Sequence, residues 1–433
     1  MLAFIDFSVL RRTLVYTVSG SLSALVAFFL LPILTRYLSP SDYGVVEMFT
    51  SLTACLSGII IVGGNTILAK EYFNHTHSGR ATLIGSILTI ICISALGLFL
   101  LTAIVDIPTN AISRLLKLSD GLLYLAIFSS LANAIIALIT TLLQIEKRAT
   151  LYLGFVNSKT LIEILISLIL TVSFSLKASG RIAGIAGSNI LFAFLSLIWL
   201  WKRSVRATLS VCQARVLLVL GLPLVAAHVS VWVYGMVDRV MITNLFNLAS
   251  TGIYSVGFRF GSVVAMVETA FSMAWLPYFY ENVRLNDPQT DRRVVKFSCL
   301  YALILFTFAI GFGLLTRWLL PAMVNKRFDS ATRFTMLICI AFWFSGTWKL
   351  FGNYLIIEGK TRMYGLITFA IAVFHIGLTY YLLKRVGVIG AAWATMFTFG
   401  AATTVTFIAA LKVHPMPWAC ILDPLRNAGR KTK

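Results

Sequence analysis

Four basic side chains interrupt otherwise apolar stretches of this sequence: Lys159, Arg239, Arg259 and Lys349. A charge at the centre of an apolar helix costs at least about 2.5 to 3.5 kcal/mol on insertion scales, so each must face water, a counterion or a ligand. Guanidinium and ammonium groups at such depth suit the oxygens of a diphosphate or an anionic glycan. At about 1.5 Å per residue, Arg259 lies roughly 12 Å into its helix, and Lys349 and Lys159 lie roughly 12 Å from the nearer ends of theirs. Lys349 has no acid in reach along its own helix, only Asn353, so it and Arg259 lead the candidates for binding an anion. Lys159 has Glu163 one turn on, on the same face, which leaves an internal pair and a ligand contact both open. Arg239 sits within about a turn of a helix end, where it snorkels or bridges to another helix; adjacent Asp238 projects about 100° away, so the two are expected not to pair. Arg36, at the end of the first apolar run, is a gate candidate.

Against these four cations stand Glu163, Asp238 and Glu268 within helices, a net excess of one positive charge. Glu268 has two open roles, carrier of a coupling proton or plain counterion. His228 and His375 either titrate near neutral pH or hydrogen-bond across a helix interface, and Asn65, Asn133, Asn157 and Asn189 suit the latter purpose. The six cysteines include no Cys-x-x-Cys pair, so neither a disulfide nor a metal site is expected, and no cofactor is implied.

The elements that must position these groups are membrane spans. Hydrophobic residues make up 59% of the 433 residues and charged ones 12%, with a mean hydropathy of +0.89. That composition excludes a soluble globular chain. Twelve helical spans would use roughly 240 residues and leave only short loops. Apolar runs predict helices near 13–35, 43–68, 81–104, 120–143, 151–175, 183–201, 216–242, 251–279, 294–319, 333–357, 363–383 and 390–411. The net charge of +20 therefore reads as membrane-anchoring, not nucleic-acid binding. Lys and Arg concentrate on the side of the membrane that holds both termini, which the positive-inside rule makes cytoplasmic. The expected organisation is an N-terminal segment 1–12, a six-helix lobe over 13–203, a linker 204–215, a second lobe over 216–412 and a basic tail 413–433.

The two lobes read as copies. Arg36-Tyr-Leu-Ser-Pro-Ser-Asp-Tyr-Gly44 matches Asn244-Leu-Phe-Asn-Leu-Ala-Ser-Thr-Gly252 at an offset of 208. Gln144-Ile-Glu-Lys-Arg-Ala-Thr-Leu-Tyr152 matches Ile356-Ile-Glu-Gly-Lys-Thr-Arg-Met-Tyr364 at 212, and Gly184-Ile-Ala-Gly-Ser188 matches Gly390-Ala-Ala-Trp-Ala394 at 206. An even number of helices per copy gives both the same orientation, so the expected fold is all-α and polytopic, with about twelve transmembrane helices in two six-helix lobes related by a pseudo-two-fold along the membrane normal. Such lobes make a cleft open to one side at a time. Pro32, Pro223 and Pro277 fall inside apolar runs and are candidate hinges.

Several stretches resemble one family: Leu14-Val-Tyr-Thr17, Pro32 through Gly44, Gly221-Leu-Pro-Leu224, Asp238-Arg-Val-Met-Ile242, Thr251 through Arg259, and Ala274-Trp-Leu-Pro-Tyr-Phe-Tyr-Glu281. The sequence resembles polysaccharide transporters of the O-antigen flippase type, in the superfamily that also holds multidrug extruders and the peptidoglycan lipid flippase. The resemblance implies alternating access and movement of an undecaprenyl-diphosphate-linked oligosaccharide from the cytoplasmic to the periplasmic leaflet of a bacterial inner membrane. It implies the bilayer as setting and a polysaccharide polymerase or chain-length regulator as partner. A cation-coupled multidrug extruder is the alternative, and a membrane glycosyltransferase or polymerase a further one. Neither a Gly-x-Ser-x-Gly pattern nor a phosphate-cradling glycine loop supports the enzyme reading.

Overall fold

The computed structural model describes residues 26, 28–206, 208, 211–283 and 287–418. The N-terminal segment, most of the predicted first span and the basic tail beyond 418 lie outside the described residues. The described residues form helices and connecting turns, with no strand among them. In chain order the α-helices are α1 Leu31–Tyr37, α2 Pro40–Ile60, α3 Gly64–Glu71, α4 His77–Thr109, α5 Ala111–Leu116, α6 Asp120–Ile145, α7 Ala149–Leu168 and α8 Lys177–Lys202. They continue with α9 Val211–Leu245, α10 Leu248–Gly261, α11 Val263–Val283, α12 Pro288–Met323, α13 Thr332–Ile357, α14 Thr361–Val386 and α15 Ile389–Val413.

Ten helices among the described residues are long and apolar enough to cross a bilayer, which makes this a multi-pass membrane protein. Two of the twelve predicted spans account for the difference. The first, 13–35, is represented only by its last turns, around Pro32 in the first turn of α1. The eighth, 251–279, is divided at Ser262 into α10 and α11. Ser262 Oγ donates to Arg259 O at 2.7 Å, drawing a carbonyl of the last turn toward a side chain. The second predicted span, 43–68, also divides: α2 ends at Ile60, and Val62 (φ 48°) and Gly63 (φ 67°) turn left-handed before α3. At Gly63 this conformation suits glycine, and a Cβ would lie 2.6 Å from Leu224.

Helix starts follow local chemistry. Ser39 Oγ accepts from Asp42 N at 3.1 Å while the Asp42 carboxylate accepts from Ser39 N at 3.0 Å, and Pro40 opens α2 where no N–H is needed. Large apolar side chains such as Leu161, Phe194, Trp201, Phe369 and Tyr381 lie exposed, as a lipid-facing surface requires.

The helices gather into two compact units, one within 1–255 together with Met323–Phe328, the other within 256–322 and 329–433. In the first, α2 packs on α6, α8 and α9; in the second, α13 packs on α11, α14 and α15. Two observations carry the internal repeat into three dimensions. Within the first unit, a Cβ on Gly44 would collide with Leu248 O and a Cβ on Gly252 with Pro40 O. Pro40 and Leu248 are themselves repeat partners at the offset of 208, so the two turns touch reciprocally, as copies related by a local two-fold do. The second observation concerns the loop glutamates. Glu146 binds Arg203 at 2.8 Å, just after α8, and Glu358 binds His414 at 2.8 Å, just after α15. Each copy thus ties the end of its last helix to the same loop position.

Candidate functional site

At the junction of the reciprocal turns lies a buried polar cluster. Arg239 on α9 is 2% exposed. Its Nε lies 3.4 Å from Glu47 on α2, and its Nη1 lies 3.2 Å from Asp238 and donates to Gly235 O at 3.0 Å. Tyr254 on α10 donates to the other Asp238 oxygen, and its ring lies beneath the guanidinium at 5.9 Å. The expectation that Asp238 and Arg239 stay apart is therefore corrected. Their Cβ atoms do diverge, but the guanidinium reaches back along the helix to the neighbouring carboxylate. Glu47, inside the predicted second span, is a further acid at depth, and together with Glu163, Asp238 and Glu268 it balances the four cations Lys159, Arg239, Arg259 and Lys349.

The cluster is a clasp between an α2 of the first repeat and an α9 of the second. Lys117 Nζ donates to Thr243 O at 2.5 Å and Asn244 Nδ2 to Leu115 O at 2.6 Å, adding the α5 turn to the same end. Arg36, in the last turn of α1, is exposed.

Deeper in this unit, α2, α3, α6 and α9 enclose a cavity of about 270 Å³ lined by Ser57, Asn65, Thr66, Asn133, Leu224 and His228 among others. Ile61 and Gly63, at the α2–α3 break, are also part of its lining. His228 Nε2 reaches Ala54 O at 3.3 Å, bridging α9 to α2. Asn189 Nδ2 donates to Ser129 Oγ at 2.9 Å between α8 and α6. Lys159 and Glu163 pair at 3.3 Å, and Arg181, which the sequence reading did not weigh, adds a second contact to Glu163 at 2.9 Å and one to Ser167 at 2.7 Å. The Glu163 carboxylate thus holds two cations on α7 and α8.

In the second unit, Lys349 Nζ on α13 lies 2.7 Å from Glu268 Oε2 on α11. The partners differ sharply in exposure, 51% for the lysine side chain and 1% for the glutamate. Ser272 Oγ donates to the other Glu268 oxygen at 3.0 Å. Gly346, one turn before Lys349, lets the carboxylate close in: a Cβ there would lie 2.8 Å from Glu268 Cγ and 2.9 Å from the Tyr301 hydroxyl. Phe271 stacks on Tyr301 at 3.6 Å and on Trp275 at 5.8 Å, walling the buried side of the pair. Arg259 lies exposed in the last turn of α10; Gly257 and Gly261, on the same helix, abut Ala331 and Ile338. His375 is buried and bonds Thr398 Oγ1 at 2.9 Å between α14 and α15. Pro223 sits inside α9, and Pro277 falls within the range of α11. Among the described residues no group of His, Cys, Asp and Glu could hold a metal ion.

The geometry is that of a multi-pass helical protein with a few buried ion pairs and one half-exposed lysine at depth. Residues 9–283, more than half of the chain, match the family described as polysaccharide biosynthesis protein. The chain belongs to this family. A relative of this chain is the Lsg locus protein 1 of Haemophilus influenzae, 24% identical over 377 residues, spanning 82% of this chain and 86% of that one. Among solved structures, the fold is similar to the lipid II flippase MurJ in an inward closed conformation, with a TM-score of 0.74 at 14% identity over 92% of this chain and 87% of that one. It is also similar to the MATE multidrug transporter DinF-BH, with a TM-score of 0.67 at 14% identity over 96% and 97% of the two chains. The chain therefore shares the fold of these membrane transporters.

Proposed function

We propose that this chain is a transporter, not an enzyme, that moves an oligosaccharide linked to undecaprenyl diphosphate from the cytoplasmic to the periplasmic leaflet of a bacterial inner membrane. The observation that carries the reading is Lys349. Its ammonium is half exposed at roughly 12 Å from its helix end, while its counterion is buried. A lysine left facing lipid tails at that depth would be costly, so the exposed side of the ammonium belongs to a wet cavity. There it can take a diphosphate oxygen in place of Glu268, a trade that would strand the buried carboxylate unless a proton neutralises it as the lysine leaves. Protonation of Glu268 would release the lysine and supply a route for coupling.

The two six-helix lobes, 13–203 and 216–412, would rock about Pro32, Pro223 and Pro277. The Glu47–Arg239–Asp238 clasp would close the periplasmic end and part when the site turns outward. Within the second unit Arg259 and Lys349 would meet the anionic head; within the first, Lys159 would offer a further anion contact, Arg36 would serve the gate, and the amides and hydroxyls of the polar cavity would suit sugar hydroxyls. Both termini would lie in the cytoplasm, with a polymerase receiving the product outside.

A second reading, a cation-coupled drug extruder, is favoured by the aromatic wall of Phe271, Trp275 and Tyr301 beside Glu268, because a carboxylate among aromatic faces suits an organic cation. The leaflet distribution of the lipid-linked repeat unit in cells lacking the protein separates the two. Accumulation in the cytoplasmic leaflet, rescued by wild type but not by Lys349→Ala, is the expected result. A normal distribution with heightened sensitivity to cationic drugs would move the assignment to the extruder.

A further inference from the structure

Between α14 and α15, within the second unit, runs an apolar groove of about 480 Å³ lined by Leu366, Ala370 and Phe374 on one helix and Ala401 and Val405 on the other. Both helices qualify as membrane spans, so what fills the groove is hydrocarbon or another apolar surface. The lining residues follow the four-residue step of a helix face, and the alanines form a shallow floor between bulkier walls.

The same two faces carry charge at one end. Arg362 stands four residues before Leu366, and Lys412 stands seven after Val405, so helical geometry places each on its helix's groove stripe. The two helices run antiparallel, and Glu358 just before α14 meets His414 just after α15, which brings the start of α14 and the end of α15 together. Arg362, Lys412 and nearby Lys360 are all exposed. Of the acids near this end, Glu358 is engaged with His414, and Asp291 also faces that histidine electrostatically. From Arg362 to Phe374 the groove stripe runs about 18 Å, against roughly 15 Å for one leaflet's hydrocarbon.

We infer that this groove is a binding site for one anionic glycerophospholipid, its phosphate held by Arg362 and Lys412 and an acyl chain laid across Ala370 and Ala401. A basic end on an apolar groove between spanning helices is the arrangement that recognises an anionic headgroup. A second copy of the chain fits less well, because docking through this face about a two-fold would bring the cationic ends of both grooves toward one another. The site is separate from Lys349 and stands independently of the transport reading.

The test is native mass spectrometry of the full-length protein released from detergent, titrated with phosphatidylglycerol or with phosphatidylcholine of the same chains. The wild type should prefer phosphatidylglycerol by about twenty-five-fold, a factor of about five from each of two basic side chains. Arg362→Ala with Lys412→Ala should erase the preference, Arg362→Lys should keep most of it, and Ala370→Trp should weaken both lipids by filling the groove. All variants should elute as the wild type does and unfold at the same temperature. Equal affinity of the wild type for both lipids would overturn the inference, as would a preference that survives the double substitution. Displacement of phosphatidylglycerol by undecaprenyl diphosphate at lower concentration would reassign the groove to the transported lipid, and retention of inorganic phosphate alone would reduce it to an ion site.

Discussion

Replacing Arg239 with alanine tests the buried clasp. The guanidinium faces two carboxylates, Glu47 at 3.4 Å and Asp238 at 3.2 Å, and all three side chains are 5% exposed or less. Removing the cation strands two negative charges in a region that water does not reach. Breaking one buried pair costs about 3 to 5 kcal/mol, most of it from the uncompensated charge left behind. At roughly 2 to 4 °C per kcal/mol for a unit of about this size, Arg239→Ala should lower the melting temperature in detergent by about 10 °C. Glu47→Gln leaves the Asp238 contact in place and should cost far less, about 1 kcal/mol. In the Glu47→Gln background the arginine has one less carboxylate to neutralise, so its removal should be milder by about 1 to 3 kcal/mol. The assay is tryptophan fluorescence on heating, for wild type, both single variants and the double variant. A drop below about 2 °C for Arg239→Ala, or the same drop in both backgrounds, would refute the clasp.

Other expectations follow from the same geometry. Gly44→Ala or Gly252→Ala pushes a methyl into the carbonyl of the facing turn, and each should reduce the yield of folded protein in membrane extracts, whereas Gly97→Ala, with open space around it, should not. Glu268→Gln should keep the hydrogen bond to Lys349 but remove the carboxylate, so transport should lose its response to an imposed proton gradient if that carboxylate couples it; an unchanged response would remove Glu268 from coupling. Asp287, before α12, accepts hydrogen bonds from the Thr290 hydroxyl at 2.7 Å and backbone at 2.9 Å, which hold its carboxyl below the usual range. A folded-state pKa below the unfolded one adds stability above the ordinary carboxylate range that is lost as pH falls through the lowered value. Asp287→Asn should therefore flatten the acid limb of a melting-temperature profile between about pH 5 and 3, and a limb that stays unchanged would contradict this.

Much of the fold was legible because membrane spans announce themselves by length and apolarity, and because the repeat left the same turn at Gly44 and Gly252. The breaks were not. Val62–Gly63 and Ser262 interrupt runs whose hydropathy continues unbroken, and only backbone geometry and one hydroxyl mark them. For the site, the depth of Lys349 was readable, but its partner lies 81 residues away on another helix, a pairing no local spacing reveals. Glu163 one turn after Lys159 was readable, whereas Arg181 on the next helix was not. The Asp238–Arg239 expectation failed because a rule about Cβ direction was applied to a side chain long enough to bend around it. Glu47 could have been found by counting every acid inside the second span.

The central claim is tested most directly by reconstituting the protein in liposomes with a labelled undecaprenyl-diphosphate oligosaccharide and following its movement between leaflets. Wild type should flip the lipid, and Lys349→Ala should slow it by at least about tenfold while Lys349→Arg, which keeps the charge, retains part of the rate. Well-folded wild type that leaves the lipid in its starting leaflet, with the cognate glycan and a proton gradient supplied, would contradict the account.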